Sequence, residues 1–296
     1  MPIPESQLET WAHQGSITQS STTYGTVKRA LAAASAPYSG TAFSTFLQGS
    51  YANDTNIYAD SDVDVVIQLQ SAYYSDDSAL PEAMRAARRG AHQSAAYGFP
   101  EFKLDVLGRL RSAFGGDIHP GAKAVFVAGS GGRRDADVLI AVTFKRFVLY
   151  DGHTAPSFIE GLCFFTPDGK RVVNYPKLHS ANCTAKHQTT TQWYKPTVRI
   201  FKNMRNRAVE SGLLQQGASP SYFLEGLLYN VPDASFGRTY GATVVNILNW
   251  LLKCDRSALV CANRQFYLLR DASSVSWAPA QFEVFLKAMI SQWNNW

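Results

Sequence analysis

Gly49-Ser50-Tyr51 and, after eleven residues, Asp62-Val63-Asp64-Val65-Val66-Ile67-Gln68-Leu69 form the stretch on which the fold is read. From Ser61 to Leu69 the residues are largely β-branched or aliphatic, which predicts a strand. Side chains alternate along a strand, so Asp62 and Asp64 share one face. Two carboxylates side by side repel, and burying them is costly unless a cation neutralises them. Hard divalent cations take such oxygen ligands, Mg²⁺ above all when phosphates complete the shell. Upstream, Gly49 lets the backbone approach a phosphate closely, and Ser50 offers a hydroxyl and an amide. A phosphate-holding turn followed by a metal-holding strand suits a nucleoside triphosphate. An Asp-x-Asp pair alone is more often a solvated strand face. The Val-Val-Ile run, which reads as a central strand, and the Gly-Ser pair upstream favour the site.

A third carboxylate is expected if two metals bind. Asp137 opens the strand Asp137-Val138-Leu139-Ile140-Ala141, after the loop Gly131-Gly132-Arg133-Arg134. Asp135 falls on the same face; Asp137, nearest the apolar run, is the chosen ligand. With two ions about 3.5–4 Å apart, one activates an attacking hydroxyl and the other steadies the leaving pyrophosphate.

The rest of the chain gives that site a setting. At 296 residues and 46% hydrophobic content it can bury a substantial core, as two domains or one large one. This excludes a disordered chain, a collagen-like chain and a small disulfide scaffold. No run of about 18 apolar residues is present, so no membrane span is expected. Met1-Pro2-Ile3-Pro4-Glu5 has neither a basic nor an apolar leader region, so a cytoplasmic protein is expected. The balance of 28 basic against 23 acidic residues, net +5, suits an anionic ligand. The densest basic stretch, Lys195 to Arg207, is interleaved with apolar residues and reads as a helix face lining a pocket. Cys163, Cys183, Cys254 and Cys261 form no Cys-x-x-Cys pair and read as free, mostly buried thiols.

No internal repeat is visible. Helices are expected over Glu5 to Ala34 in two pieces, with Ser16 or Thr18 as a cap between them, and over Leu80–Tyr97 and Phe102–Phe114, the last closed by Gly115-Gly116. Strands are expected at Thr41–Leu47, Ser61–Leu69, Ala122–Val127, Asp137–Thr143 continuing to Tyr150, and weakly at Ser157–Phe165. From Thr189 the pattern is helical almost to the end, with amphipathic stretches at Val198–Leu213, Tyr222–Tyr229, Thr243–Leu252 and Gln281–Trp293. Pro220, Pro232 and Pro279 stand near helix starts or breaks.

Gly-Ser, Asp-x-Asp and a lone Asp opening a later strand resemble the DNA-polymerase-β-type nucleotidyltransferases. An ordered set extends the likeness: Gly49-Ser50-Tyr51, Thr55 and Ser61-Asp62-Val63-Asp64; Asn174-Tyr175-Pro176-Lys177 with His179, Asn182 and Lys186; Val198-Arg199-Ile200-Phe201-Lys202-Asn203; Pro220-Ser221-Tyr222 with Glu225; and Tyr229-Asn230-Val231-Pro232. From about Phe46 to Pro232 it resembles the bacterial cGAS/DncV-like nucleotidyltransferases; the last ~60 residues carry no such motif. The resemblance implies an α+β fold. A polymerase-β-like core, a mixed sheet with flanking helices and an N-terminal helix, would span 1–185. A C-terminal helical domain over 186–296 would make the protein bilobal, with the nucleotide cleft between. It implies that Asp62, Asp64 and Asp137 hold two Mg²⁺ or Mn²⁺ ions. Gln48, Gly49, Ser50, Lys186, Lys202 and Ser221 would contact nucleotide, and Tyr222 would stack on a base. Chemistry agrees for Lys as a compact phosphate binder and Tyr as a π-face. Without the resemblance, Lys202 reads as a surface lysine and Tyr222, among Phe223, Leu224 and Leu227, as core.

The implied activity is Mg²⁺-dependent joining of nucleoside triphosphates into a cyclic di- or oligonucleotide second messenger for bacterial anti-phage (CBASS) signalling, acting on a separate effector. A linear oligonucleotide, poly(A) or antibiotic nucleotidyltransferase, or a non-catalytic nucleotide- or RNA-binding module, stays open as an alternative. Asn174, Asn182 and Gln48 are candidate base contacts. A monomer is expected. The chain lacks a long basic arm, so activation by nucleic acid is not expected. The terminal Gln292-Trp293-Asn294-Asn295-Trp296 lacks the small last residue of relatives conjugated through their C-terminus, and Trp293 and Trp296 read as packing residues. His179-x3-Cys183-x3-His187 falls near the zinc insertion of the animal synthase. Its spacing differs, Pro176 and Asn182 argue for a loop, and no second cysteine is near, so no closed zinc site is expected. His13, His92, His119 and His153 read as surface or structural residues.

Overall fold

The computed structural model describes residues 1–15, 17–58, 62–91, 93–152 and 154–296. Ser16 as a cap, Ser61 as a strand opening, and His92 and His153 as surface residues lie outside the described residues. In chain order the first elements are α1 (Glu5–Ala12), α2 (Thr18–Leu31), β1 (Phe43–Leu47), α3 (Gly49–Ala52), β2 (Val63–Asp76), α4 (Glu82–Gly90) and α5 (Phe99–Phe114). Then come β3 (Ile118–Pro120), β4 (Val125–Val127), β5 (Ala136–Leu149), β6 (Ser157–Phe165) and β7 (Arg171–Asn174). Helices follow: α6 (Pro176–Thr189), α7 (Tyr194–Glu210), α8 (Ser221–Asn230), α9 (Tyr240–Lys253) and α10 (Pro279–Asn294). The α+β expectation, a mixed sheet with flanking helices and a C-terminal helical domain, is met.

The chain forms two compact units. The sheet unit takes Ile17–Gln48 and Ser61–Tyr175; the helical unit takes Met1–Ser16, Gly49–Asp60 and Pro176–Trp296. That division differs from a single cut at residue 185, because α1 and the Gly49–Ala52 turn pack with the helices. Leu8 and Ala12 of α1 join the core built by Val198, Phe201 and Met204 of α7.

In the sheet unit the strand order is β1-β2-β5-β4-β3, with β6 and then β7 added along the second half of β5. β2 and β5 run parallel; the remaining pairs are antiparallel. Val63 and the run Val65–Leu69 are buried, and β2 is paired with β1 on one edge and β5 on the other. The strand continues past the predicted end at Leu69 to Asp76, through a register shift between Leu69 and Tyr73. Buried Gln68 is satisfied there, donating to Thr143 Oγ1 at 2.9 Å. Helix α5 buries Phe102, Val106 and Leu110, one stripe at four-residue spacing, and α2 buries Val27 and Leu31. Gly115, with φ of 57°, ends α5 in the left-handed region that glycine adopts at least cost.

In the helical unit Phe201, Phe223, Phe282 and Phe285 are fully or almost fully buried in one apolar core. Pro220 caps α8 and Pro279 opens α10, where a missing amide hydrogen costs nothing. Trp293 packs on the core, and Trp296 meets Trp11 edge-on at 5.2 Å, as expected of packing residues. One expectation fails here. Residues 176–189 are helix α6, not loop. Pro176 is its first residue, which the helix tolerates, and Asn182 is held by its amide donating to the Ala262 carbonyl at 2.7 Å.

Candidate active site

The parallel pairing of β2 with β5 sets Asp64 directly beside Asp137. Partners in register point the same way, so the two carboxylates share a face of the sheet. Asp62 stands one residue before β2, two positions from Asp64, and is exposed; Asp64, Asp135 and Asp137 are half-buried. The Val63 amide donates to the Asp135 carbonyl at 3.0 Å, and the Gln48 amide to the Asp64 carbonyl at 3.0 Å, which extends the ladders to the ends of both strands. Burial and then the like charges of Asp62 and Asp135 push the Asp137 carboxyl above its usual range. Carboxylates gathered around Asp137 make a donor set for a divalent cation: oxygen ligands, excess negative charge, and strand backbones that hold them in place. The residues therefore fit Mg²⁺ or Mn²⁺. Asp135 also accepts from the Gly129 amide at 2.6 Å, a loop-tying bond that engages one of its oxygens.

The remaining sequence-predicted residues, apart from Gln48 and Asn174, lie in the helical unit. Gly49, at φ of 68°, opens the turn that becomes α3; Ser50 is buried behind it. Here a Cβ would strain the backbone. After α3 the chain passes through Asp54, itself at φ of 53°, to Thr55, whose amide donates to the Ser50 carbonyl at 3.0 Å. Three cations of α7 grip that short segment. Lys195 Nζ pairs with the Asp54 carboxylate at 2.8 Å, Arg199 donates to the Asp54 carbonyl, and Lys202 Nζ donates to the Thr55 carbonyl at 2.9 Å. Their spacing of four and three puts them on one helix face. The basic stretch read as a pocket-lining face thus faces the backbone that follows the Gly-Ser turn. Lys202 is 0% exposed, which overturns its reading as a surface lysine.

Glu225 of α8 is the centre of a second network, which the sequence reading noted only as part of a motif. It is buried, and its carboxylate receives Asn53 Nδ2 at 2.9 Å, the Thr55 hydroxyl, and His179 Nε2 at 2.7 Å. Burial alone would raise its pKa; His179, Thr55 and Lys202 outweigh that and hold it below the usual range. Burial would likewise lower the His179 pKa, but Cys183 and Glu225 push it up to about 10. The pair is ionised at neutral pH. The sequence signal was present, since a Glu flanked by Leu, Gly and Leu in an apolar helix requires a partner. Its partners lie 46 to 172 residues away, beyond what sequence spacing can link.

Among the described residues, His179, Cys183 and Glu225 bring three metal-binding atom types within 4.8 Å. The Glu225 oxygens are already spent on three donors, and Cys183 Sγ lies 3.3 Å from the Tyr194 hydroxyl. The group is an ion-pair hub; His187 instead accepts from the Lys195 amide at 3.4 Å. Tyr222 is half-buried, its ring stacked on His179 and its hydroxyl accepting from Asn263 Nδ2 at 2.9 Å. Ser221 begins the same helix. Lys186 is turned to the end of α8, bonding the Val231 carbonyl and pairing with Asp233. Asn174 accepts from the Tyr175 amide at 2.8 Å.

Comparison with known proteins adds to this geometry. The family model for the cGAS/DncV-like nucleotidyltransferase C-terminal helical domain matches residues 181–294. A cyclic UMP-AMP synthase of Rhodothermus marinus is 39% identical over 100% of this chain and 99% of its own length. A cyclic dipurine nucleotide synthase of Elizabethkingia meningoseptica is 32% identical, covering 92% of this chain and 93% of that protein. Among solved structures, Rhodothermus marinus CdnE c-UMP-AMP synthase with Apcpp and Upnpp superposes with a TM-score of 0.89 at 38% identity, covering 100% of this chain and 98% of that one.

Proposed function

The chain belongs to the cGAS/DncV-like nucleotidyltransferases, and from that membership we propose that it joins nucleoside triphosphates into a cyclic di- or oligonucleotide, releasing pyrophosphate at each bond. The observation that carries the reading is the register of Asp64 beside Asp137, with Asp62 two residues from Asp64. The hydroxyl of one nucleotide attacks the α-phosphorus of another, and a second attack closes the ring. Asp62, Asp64 and Asp137 would hold two Mg²⁺ or Mn²⁺ ions. When bound, such ions supply positive charge that favours the alkoxide form of the attacking hydroxyl and offsets charge on the leaving pyrophosphate.

Gln48, Gly49, Ser50, Lys202 and Ser221 are proposed to contact the nucleotides, and Tyr222 to stack on a base. Lys202 acts in this reading by fixing the Thr55 carbonyl behind the Gly-Ser turn as well as by its charge. The contact of Lys186 with phosphate requires it to exchange its Asp233 partner. Relatives named for different products share this fold, so base choice rests on a few contacts rather than on architecture. An anti-phage role with a separate effector, a monomeric state and a cytoplasmic site are proposed with it; among the described residues no helix is long and apolar enough to cross a membrane.

The test is product analysis. The protein is incubated with the four ribonucleoside triphosphates and Mg²⁺ or Mn²⁺, each nucleotide labelled in turn, then treated with phosphatase and examined by mass spectrometry. A phosphatase-resistant cyclic species is the expected result and names the bases. A ladder of linear products, or no product with either metal, overturns the cyclisation.

A further inference from the structure

The His179 and Tyr222 rings are stacked, with centroids 4.8 Å apart and planes 23° from parallel. Each ring is held independently of the other. His179 is 4% exposed on α6, and its Nε2 donates to Glu225 at 2.7 Å. Glu225 in turn is fixed by Asn53 and Thr55, so the orientation of the imidazole is set by a chain of bonds ending in the segment after α3. Tyr222 is the second residue of α8, and its hydroxyl is tied to Asn263. One face of the Tyr222 ring is therefore occupied by the imidazole.

A side chain that stacks on a base gives more affinity when its orientation is fixed beforehand, because ordering it on binding subtracts from the gain. We propose that His179 is a positioning residue for nucleotide recognition: it backs one face of Tyr222 so that the other face is held ready for a base, while Glu225 holds the imidazole. This rests on the reading of Tyr222 as the base platform. Positive charge on the imidazole strengthens its hold on the tyrosine ring. Neither His179 nor Glu225 touches the nucleotide in this scheme.

Two substitutions separate the ring from its hydrogen bond. His179→Gln keeps an N–H donor for Glu225 and removes the ring; it is expected to raise KM about tenfold, the scale of one base–aromatic stack, with kcat within about twofold of wild type. His179→Phe keeps the ring and removes the donor; it is expected to hold KM near wild type while lowering Tm. KM is measured by varying each ribonucleoside triphosphate in turn with the others saturating. Tyr222→Ala should raise KM at least as much as His179→Gln, and adding His179→Gln to it should change KM no further. A raised KM for Tyr222→Ala with an unchanged KM for His179→Gln overturns the positioning role and leaves the platform standing. An unchanged KM for Tyr222→Ala overturns the platform, and the positioning role with it. Effects of the two substitutions that multiply also overturn the positioning role, because the residues then act separately. If His179→Phe does not fold, His179→Gln and the double variant still decide the matter.

Discussion

The hub around Glu225 in the helical unit and the acidic strand ends in the sheet unit treat charge in opposite ways. In the helical unit, Glu225 is surrounded by His179, Asn53, Thr55 and Lys202, and the cations of α7 are turned onto Asp54 and Thr55. Charge there is compensated inside the protein. In the sheet unit, strand register brings Asp64 beside Asp137, and burial, then the charges of Asp62 and Asp135, raise the Asp137 pKa. Charge there is accumulated. Compensated charge holds a backbone in place; carboxylates gathered at neighbouring strand ends form an oxygen donor set that fits a cation.

The contrast can be broken most decisively at the strand ends. Asp62→Asn with Asp64→Asn should abolish product, at least ~10³-fold, while circular dichroism and Tm show an intact fold. In metal-free buffer the double variant should melt slightly above wild type, because it removes like charges beside Asp137. Retained product would sink the metal assignment; a collapsed fold would mean that these carboxylates stabilise the sheet.

The opposite response is expected in the helical unit. Glu225→Ala leaves His179 buried without its counter-charge, and should lower stability by about 3–5 kcal/mol in chemical denaturation. A variant as stable as wild type would show that the hub is not compensated as described.

The pH dependence sharpens the same point. The His179 pKa is raised from an ordinary 6.5 to about 10, so its contribution is complete below pH 6.5 and is lost as pH rises through 10. The Glu225 pKa is lowered, so its contribution is present above its ordinary 4.5 and is lost on acidification. Tm should therefore fall between pH 7 and 10 in the wild type and fall less in His179→Gln. Parallel curves would remove the ion pair from the account.

The smallest effect is expected at Lys186. Its partner Asp233 is 46% exposed, so Lys186→Ala should cost no more than about 1 kcal/mol. A loss of activity far beyond that stability change would support the phosphate role; an unchanged KM would leave Lys186 as a tie at the end of α8.

The central strands were legible because Val63–Leu69 and Asp137–Thr143 carry enough β-branched residues to announce themselves. The polar end of β2 was not: the predicted strand stops at Leu69, and Gln70, Ser71, Ser75 and Asp76 carry no β-branched side chain; it is strand because β5 beside it supplies partners as far as Arg146. Short β3 and β7 were missed for the same reason, being edge pieces defined by their neighbours. Helix α6 is hidden in the sequence because Pro176 and Asn182 disfavour a helix locally, while its support comes from burying His179 and Cys183.

By itself, then, the sequence determined the central strands beside which Asp62, Asp64 and Asp137 stand and the helical character of the last third, both of which follow from local pattern and spacing, while the α+β fold class came through the family resemblance. Only the tertiary structure decided that Asp64 stands beside Asp137, that the α7 cations hold the segment after the Gly-Ser turn, and that Glu225 and His179 form the support beneath Tyr222. The physical reason is range: periodicity records which way a side chain points within its own element, whereas the partner that neutralises a buried charge is brought up by the fold from anywhere in the chain.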